Sequence, residues 1–60
     1  MNLEICYVMD GKESWTYYFT DTKDFKKAVS EAKKHFTEFR KDLGWSRKAK
    51  LKHIIQMRQS

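Results

Sequence analysis

Three dibasic pairs recur seven residues apart: Lys26-Lys27, Lys33-Lys34 and Arg40-Lys41. Seven residues is about two turns of an α-helix, so on one helix these pairs stack into a positive stripe roughly 20 Å long. The chemistry they offer is anion binding, through ammonium and guanidinium groups that pair with phosphates or carboxylates. A second basic row, Lys48, Lys50 and Lys52, alternates with apolar residues as a β-strand would. It is expected on the sheet face opposite the helix, beside Thr16 and Tyr18. An open sheet of that kind holds single-stranded nucleic acid by stacking bases on an aromatic ring, here Tyr18, and pairing phosphates with lysines.

Both rows have plainer readings. Asp24–Lys27, Glu31–Lys34 and Glu38–Lys41 are acid-before-base pairs at i,i+3, worth about 0.2–0.5 kcal/mol each to an exposed helix. Lysines on an edge strand also block unwanted sheet pairing.

Reaction chemistry finds less to work with. His35 is placed at the margin of the helix's core face and His53 in the inner row of the last strand, where each reads as a structural residue rather than a positioned acid or base. Cys6 on the first strand reads as packing, and no spacing brings it to a histidine. Cys6, His35 and His53 are scattered without metal-ligand spacing, and the two glycines, Gly11 and Gly44, are both occupied by turns rather than by a phosphate loop. A 60-residue chain also has little room for a deep substrate pocket. The expectation is a non-enzymatic protein with no cofactor and no metal.

Charge is lopsided. The net charge is +5, yet residues 1–21 carry Glu4, Asp10, Glu13 and Asp21 against Lys12 alone. From residue 44 onward Arg47, Lys48, Lys50, Lys52 and Arg58 face no acidic side chain. Such a field steers association with polyanions or with acidic protein faces. No apolar run is long enough to span a bilayer, no signal-peptide pattern opens the chain, and the single Cys6 suits a reducing compartment; a cytoplasmic protein with no membrane partner is expected.

The elements that must position these groups follow from periodicity. Residues 2–9 and 13–20 are rich in β-branched and aromatic side chains and flank Asp10-Gly11, a hairpin signal. A three-residue loop with a left-handed Gly11 bulge gathers Leu3, Ile5, Tyr7, Trp15, Tyr17 and Phe19 on one apolar face, and that register is expected. A helix is expected over 22–43, capped by Asp21 or Thr22 and ended by a left-handed Gly44 with Trp45 folded back on Phe39. Its core positions are Phe25, Val29, Ala32, Phe36, Phe39 and Leu43, a spacing that also permits a coiled-coil seam between two chains.

Residues 47–58 alternate as a strand, with Ala49, Leu51, His53, Ile55 and Met57 inward, although Leu51, Ile54 and Ile55 would also serve a short helix. The fold class is therefore α+β: one small ββαβ domain over 1–60, with one helix packed across a three-stranded, mostly antiparallel sheet. The first strand is expected in the middle.

The function expected is a small basic binding module that engages nucleic acid, or a nucleic-acid-handling complex, through Lys26, Lys33, Arg40, Lys48, Lys50, Lys52 and Tyr18. The alternative is a small inhibitor or antitoxin-like regulator, in the style of phage and mobile-element proteins, that docks on an acidic partner surface. A homodimer would be an ordinary way to complete so small a core.

Overall fold

Asp10 and Gly11 both adopt left-handed backbone, with φ of 54° and 76°. Two consecutive left-handed residues make a type I′ turn, whose twist matches that of the strands it joins. The computed structural model describes residues 1–57 and forms the hairpin on this turn, pairing β1 (Asn2–Met9) with β2 (Lys12–Phe19) from Met9↔Lys12 to Asn2↔Phe19.

The loop therefore has two residues, not three, and the expected register is overturned. Side chains alternate across a strand, so Leu3, Ile5 and Tyr7 share their face with Tyr18, Thr16 and Ser14. Trp15, Tyr17 and Phe19 lie on the other face. The physical reason is that the helix packs over β1 and β3, so β2 does not have to turn its apolar row inward.

After β2 the chain runs through 20–24 into α1 (Phe25–Asp42). Asp24 is the N-cap, its carboxylate accepting from the Lys26 amide at 2.9 Å, in place of Asp21 or Thr22. At the other end Gly44 has φ 72°, the Gly44 amide donates to Lys41 O at 3.1 Å and the Trp45 amide to Arg40 O at 2.6 Å. That crossed pair is a Schellman motif, and Trp45 folds back on Phe39 with ring centroids 6.0 Å apart, as expected.

The buried helix face consists of Ala28, Ala32 and Phe36. Phe25 and Leu43, expected in the core, are exposed. Both project within about 20° of Phe36 around the helix, but Phe25 is its first residue and Leu43 its C-cap, so they stand at the two ends of the contact line rather than over its middle. The two alanines let the helix backbone approach the sheet closely.

β3 (Ala49–Gln56) runs antiparallel to β1 and completes a sheet of order β2-β1-β3, with the first strand central as expected. Its ladder slips by one residue: Cys6 faces His53 and Tyr7 faces Leu51, leaving Lys52 as a β-bulge. The bulge resets the alternation. Ala49, Leu51 and Ile54 point to the core, while His53 and Ile55 turn to the open face against expectation. Lys48 lies in the turn before the strand, and Arg58, the expected last strand residue, is outside the described residues.

The core gathers Leu3, Ile5, Tyr7, Ala28, Ala32, Phe36 and Ala49, with Tyr7 and Phe36 ring centroids 5.3 Å apart.

A Cβ on Gly44 would meet no atom within 4 Å, so substitution there costs only backbone strain. Gly44→Val should destabilise by about 1–2 kcal/mol or somewhat more, and Gly44→Asn by clearly less, because asparagine tolerates the left-handed region. Urea unfolding midpoints of the two variants check this ordering.

Candidate nucleic-acid interface

Every second residue of β2 from Glu13 projects from the sheet face that carries no helix. Three of these are aromatic and open to solvent: Trp15 is 52 % exposed, Tyr17 60 % and Phe19 62 %. Their Cα atoms are spaced by two strand residues, about 6.8 Å, which is twice a base-stacking step. Tyr17 and Phe19, with Asn2, Tyr18 and Met57, also line a groove of about 440 Å³ at the end of the sheet.

Across β1 the same face bears Lys50, Lys52, His53 and Ile55. Lys52 reaches over β1 to pair with the Glu13 carboxylate, the one ion pair among the described residues. Its ammonium group holds Glu13 below the usual carboxylate range, chiefly through the hydrogen bond, and the carboxylate raises Lys52 in return. Glu4 and Glu13 balance Lys50 and Lys52, so this face is aromatic and close to neutral rather than strongly basic.

Cys6 lies directly between Trp15 and His53 in the ladder, a juxtaposition that its sequence position does not reveal. The thiol residue is only 1 % exposed and no hydrogen bond joins it to the imidazole, so the pair offers no accessible nucleophile. Among the described residues no group of three His, Cys, Asp or Glu side chains is placed to share a metal ion.

The expected site residues separate into two layers. Lys26 and Lys33 belong to the helix, on the far side of the sheet from the aromatic row. Arg40, on their flank, is held in the structure: its Nη1 donates to Ala49 O at 3.0 Å and its guanidinium lies 5.7 Å from the Phe36 ring centre. It clamps the helix to the start of β3. Lys48 and Lys50 follow on the exposed β3 side, continuous with Arg47 in the preceding turn.

Tyr18 is displaced from its expected place on the open face. It sits on the helix side, packed against the core, with its ring 4.8 Å from that of His35 and its hydroxyl donating to Glu31 at 3.4 Å. Trp15, Tyr17 and Phe19 are the open-face aromatics that sequence reasoning placed inside. The signal for them was the Asp-Gly dipeptide, whose preferred turn sets this register.

Glu31 organises that helix-side corner, accepting also from the hydroxyls of Thr20, at 2.9 Å, and Thr22. These donors hold its carboxyl below the usual glutamate range, with the Thr22 and Thr20 hydroxyls the main causes, while burial and the carboxylate raise Tyr18. Comparison of the chain with protein-family models, with curated proteins and with solved structures finds no match.

With its ring half in solvent, Trp15→Ala should fold and lose far less than the about 3–5 kcal/mol of a buried large aromatic. Thermal unfolding of the variant measures this. Glu31 has a depressed pKa when folded, so its stabilisation is complete above the unfolded value of about 4.3 and disappears as pH falls through the folded value. The stability gap between the wild type and Glu31→Gln, read from urea midpoints, should therefore narrow as pH is lowered from about 6 to below 4.

Proposed function

We propose that this chain is a small, non-enzymatic binding module that holds single-stranded nucleic acid on the open face of its sheet. The observation that carries the reading is the solvent-exposed row Trp15, Tyr17 and Phe19, with Lys50 and Lys52 two strands away on the same face. Aromatic rings displayed on a sheet are stacking platforms for unpaired bases, each worth about 1–3 kcal/mol by alanine substitution. Within a duplex the base faces are stacked on one another and only the terminal pair leaves one open, so successive rings favour a single strand.

In this arrangement the bases stack on β2 and the backbone crosses toward β3, where Lys50, Lys48 and Arg47 pair with phosphates. Lys52 exchanges its Glu13 partner for a phosphate or orients the ring row from beside it. The helix lysines Lys26 and Lys33 lie on the other layer and add long-range attraction rather than contact. Arg40 keeps its structural role, and Tyr18 supports the helix-side corner rather than a base.

Few phosphates are engaged, so the salt dependence should be shallow. Three or four neutralised phosphates on a single strand give a slope of log K against log salt of about −2.1 to −2.8.

The near balance of charge on this face, together with exposed Ile55, supports a second reading in which the same rings anchor a partner protein. In that reading the module is the inhibitor-like regulator, and its lysines influence association rate more than affinity.

Titration of a mixed-sequence single-stranded oligonucleotide at low salt, read by quenching of Trp15 fluorescence in a Trp45→Phe background, separates the two. Saturable quenching is expected, with a weaker response to duplex. Tyr17→Ala and Phe19→Ala should each reduce affinity about 5- to 150-fold, the range set by loss of one stacking contact. Absence of binding by the folded protein would overturn the nucleic-acid reading and leave the protein-docking one.

A further inference from the structure

The two edges of this sheet are built differently. β3 carries Lys50 and Lys52 and is broken by the bulge at Lys52, both devices that discourage another strand from pairing. β2 has neither: its charged residues, Lys12 and Glu13, sit at the turn end, and from Ser14 to Phe19 it is an uncharged, proline-free, bulge-free run. The helix lies mainly over β1 and β3 and meets β2 at the Tyr18 side chain, through His35 and Glu31.

The direction of the free backbone groups on β2 follows from the ladder. Met1 and Thr20 exchange both backbone bonds, the Thr20 amide donating to Met1 O at 3.0 Å and the Met1 amino group to Thr20 O at 2.6 Å. Antiparallel pairs alternate between bonded and unbonded, so Asn2↔Phe19, Glu4↔Tyr17 and Cys6↔Trp15 are unbonded pairs. The N–H and C=O groups of Trp15, Tyr17 and Phe19 therefore point outward, away from β1. The residues that display the rings are the ones that present unpaired donors and acceptors along the edge.

We propose that this edge pairs with the β2 edge of a second copy of the chain, antiparallel, about a two-fold axis through Tyr17. On that axis Tyr17 faces Tyr17 of the second copy, and Trp15 faces its Phe19. Each of these pairs can exchange two backbone bonds, and each brings aromatic rings side by side, the favourable kind of cross-strand neighbour. On the helix side Thr16 meets Tyr18 of the other copy, without a charge. Centring on Trp15 instead would set Glu13 against Tyr17 and leave Phe19 opposite the turn.

Because the axis is perpendicular to the sheet, both open faces emerge on the same side. The product is a continuous six-stranded sheet in which the two aromatic rows merge at its centre. The pairing uses backbone edges and leaves the ring faces available, and it stands whether or not they stack on bases.

Sedimentation equilibrium of the full chain, without nucleic acid and from micromolar to millimolar concentration, tests the association. A monomer–dimer equilibrium is expected. The double variant Trp15→Lys with Phe19→Lys places like charges opposite one another across the axis, whereas Trp15→Glu with Phe19→Lys places opposite charges there. Dimer dissociation constants of the two should differ by about tenfold or more, the second being tighter.

Tyr17→Cys provides a readout that does not depend on those variants folding. A bonded antiparallel pair has Cα atoms about 5.5 Å apart, inside the range a disulfide spans, so mild oxidation should give a covalent dimer, and Glu13→Cys should not. A wild type that is monomeric at millimolar concentration, equal behaviour of the two charge variants, or failure of Tyr17→Cys to cross-link would each overturn the proposal.

Discussion

The left-handed pair Asp10 and Gly11 is the constraint on which the rest of the molecule depends. A turn of two residues fixes the sum of paired positions along the whole hairpin, and a side-chain period of two then assigns every residue of β2 to a face. One more residue in the loop would have buried the aromatic row and exposed Ser14, Thr16 and Tyr18. The same short segment therefore determines where the core ends and where a partner can begin.

On the helix side the structure is held by a few specific ties around a small core. Ala28 and Ala32 bring the helix close to the sheet, Arg40 fastens its last turn to the start of β3, and Glu31 collects hydroxyls from the strand end and the connecting segment. The Schellman turn at Gly44 then redirects the chain into β3. These ties lie at opposite flanks of the helix, which fixes its rotation as well as its position. The dibasic heptad is left partly structural, in Arg40, and partly solvated, in Lys26 and Lys33.

The order of elements and both glycine positions were legible because each rests on local chemistry: a hairpin dipeptide, a 3.6-residue period, a glycine that a left-handed helix end requires. The face of β2 was not. Its aromatic alternation looks like a core row, and only the layering of the helix over β1 and β3 makes the polar row acceptable inside. The turn dipeptide and the apolar pattern pointed to different registers, and the turn was the better guide. Burial of Ala28 was hidden by its size, and the Glu31 cluster joins Thr20, Thr22 and Tyr18 from sequence separations that no short pattern encodes. The dipeptide therefore also determined which aromatics belong to the candidate site.

The bulge in β3 has a consequence for how this chain tolerates changes of length. Apart from the bulged Lys52, the β3 residues from Ala49 to Gln56 pair in regular alternation on either side of the slip. Removing Lys52 would leave Leu51 and Ile54 inward and His53 and Ile55 outward, with the ladder straightened rather than shifted. Lys52 is thus a supernumerary residue in the pairing frame, and what it contributes is extra twist, a guarded edge and a cation laid across to Glu13. The two outer strands are accordingly unequal in their freedom to change: β3 can lose a residue without losing its pattern, whereas β2, in unbroken register with β1, cannot.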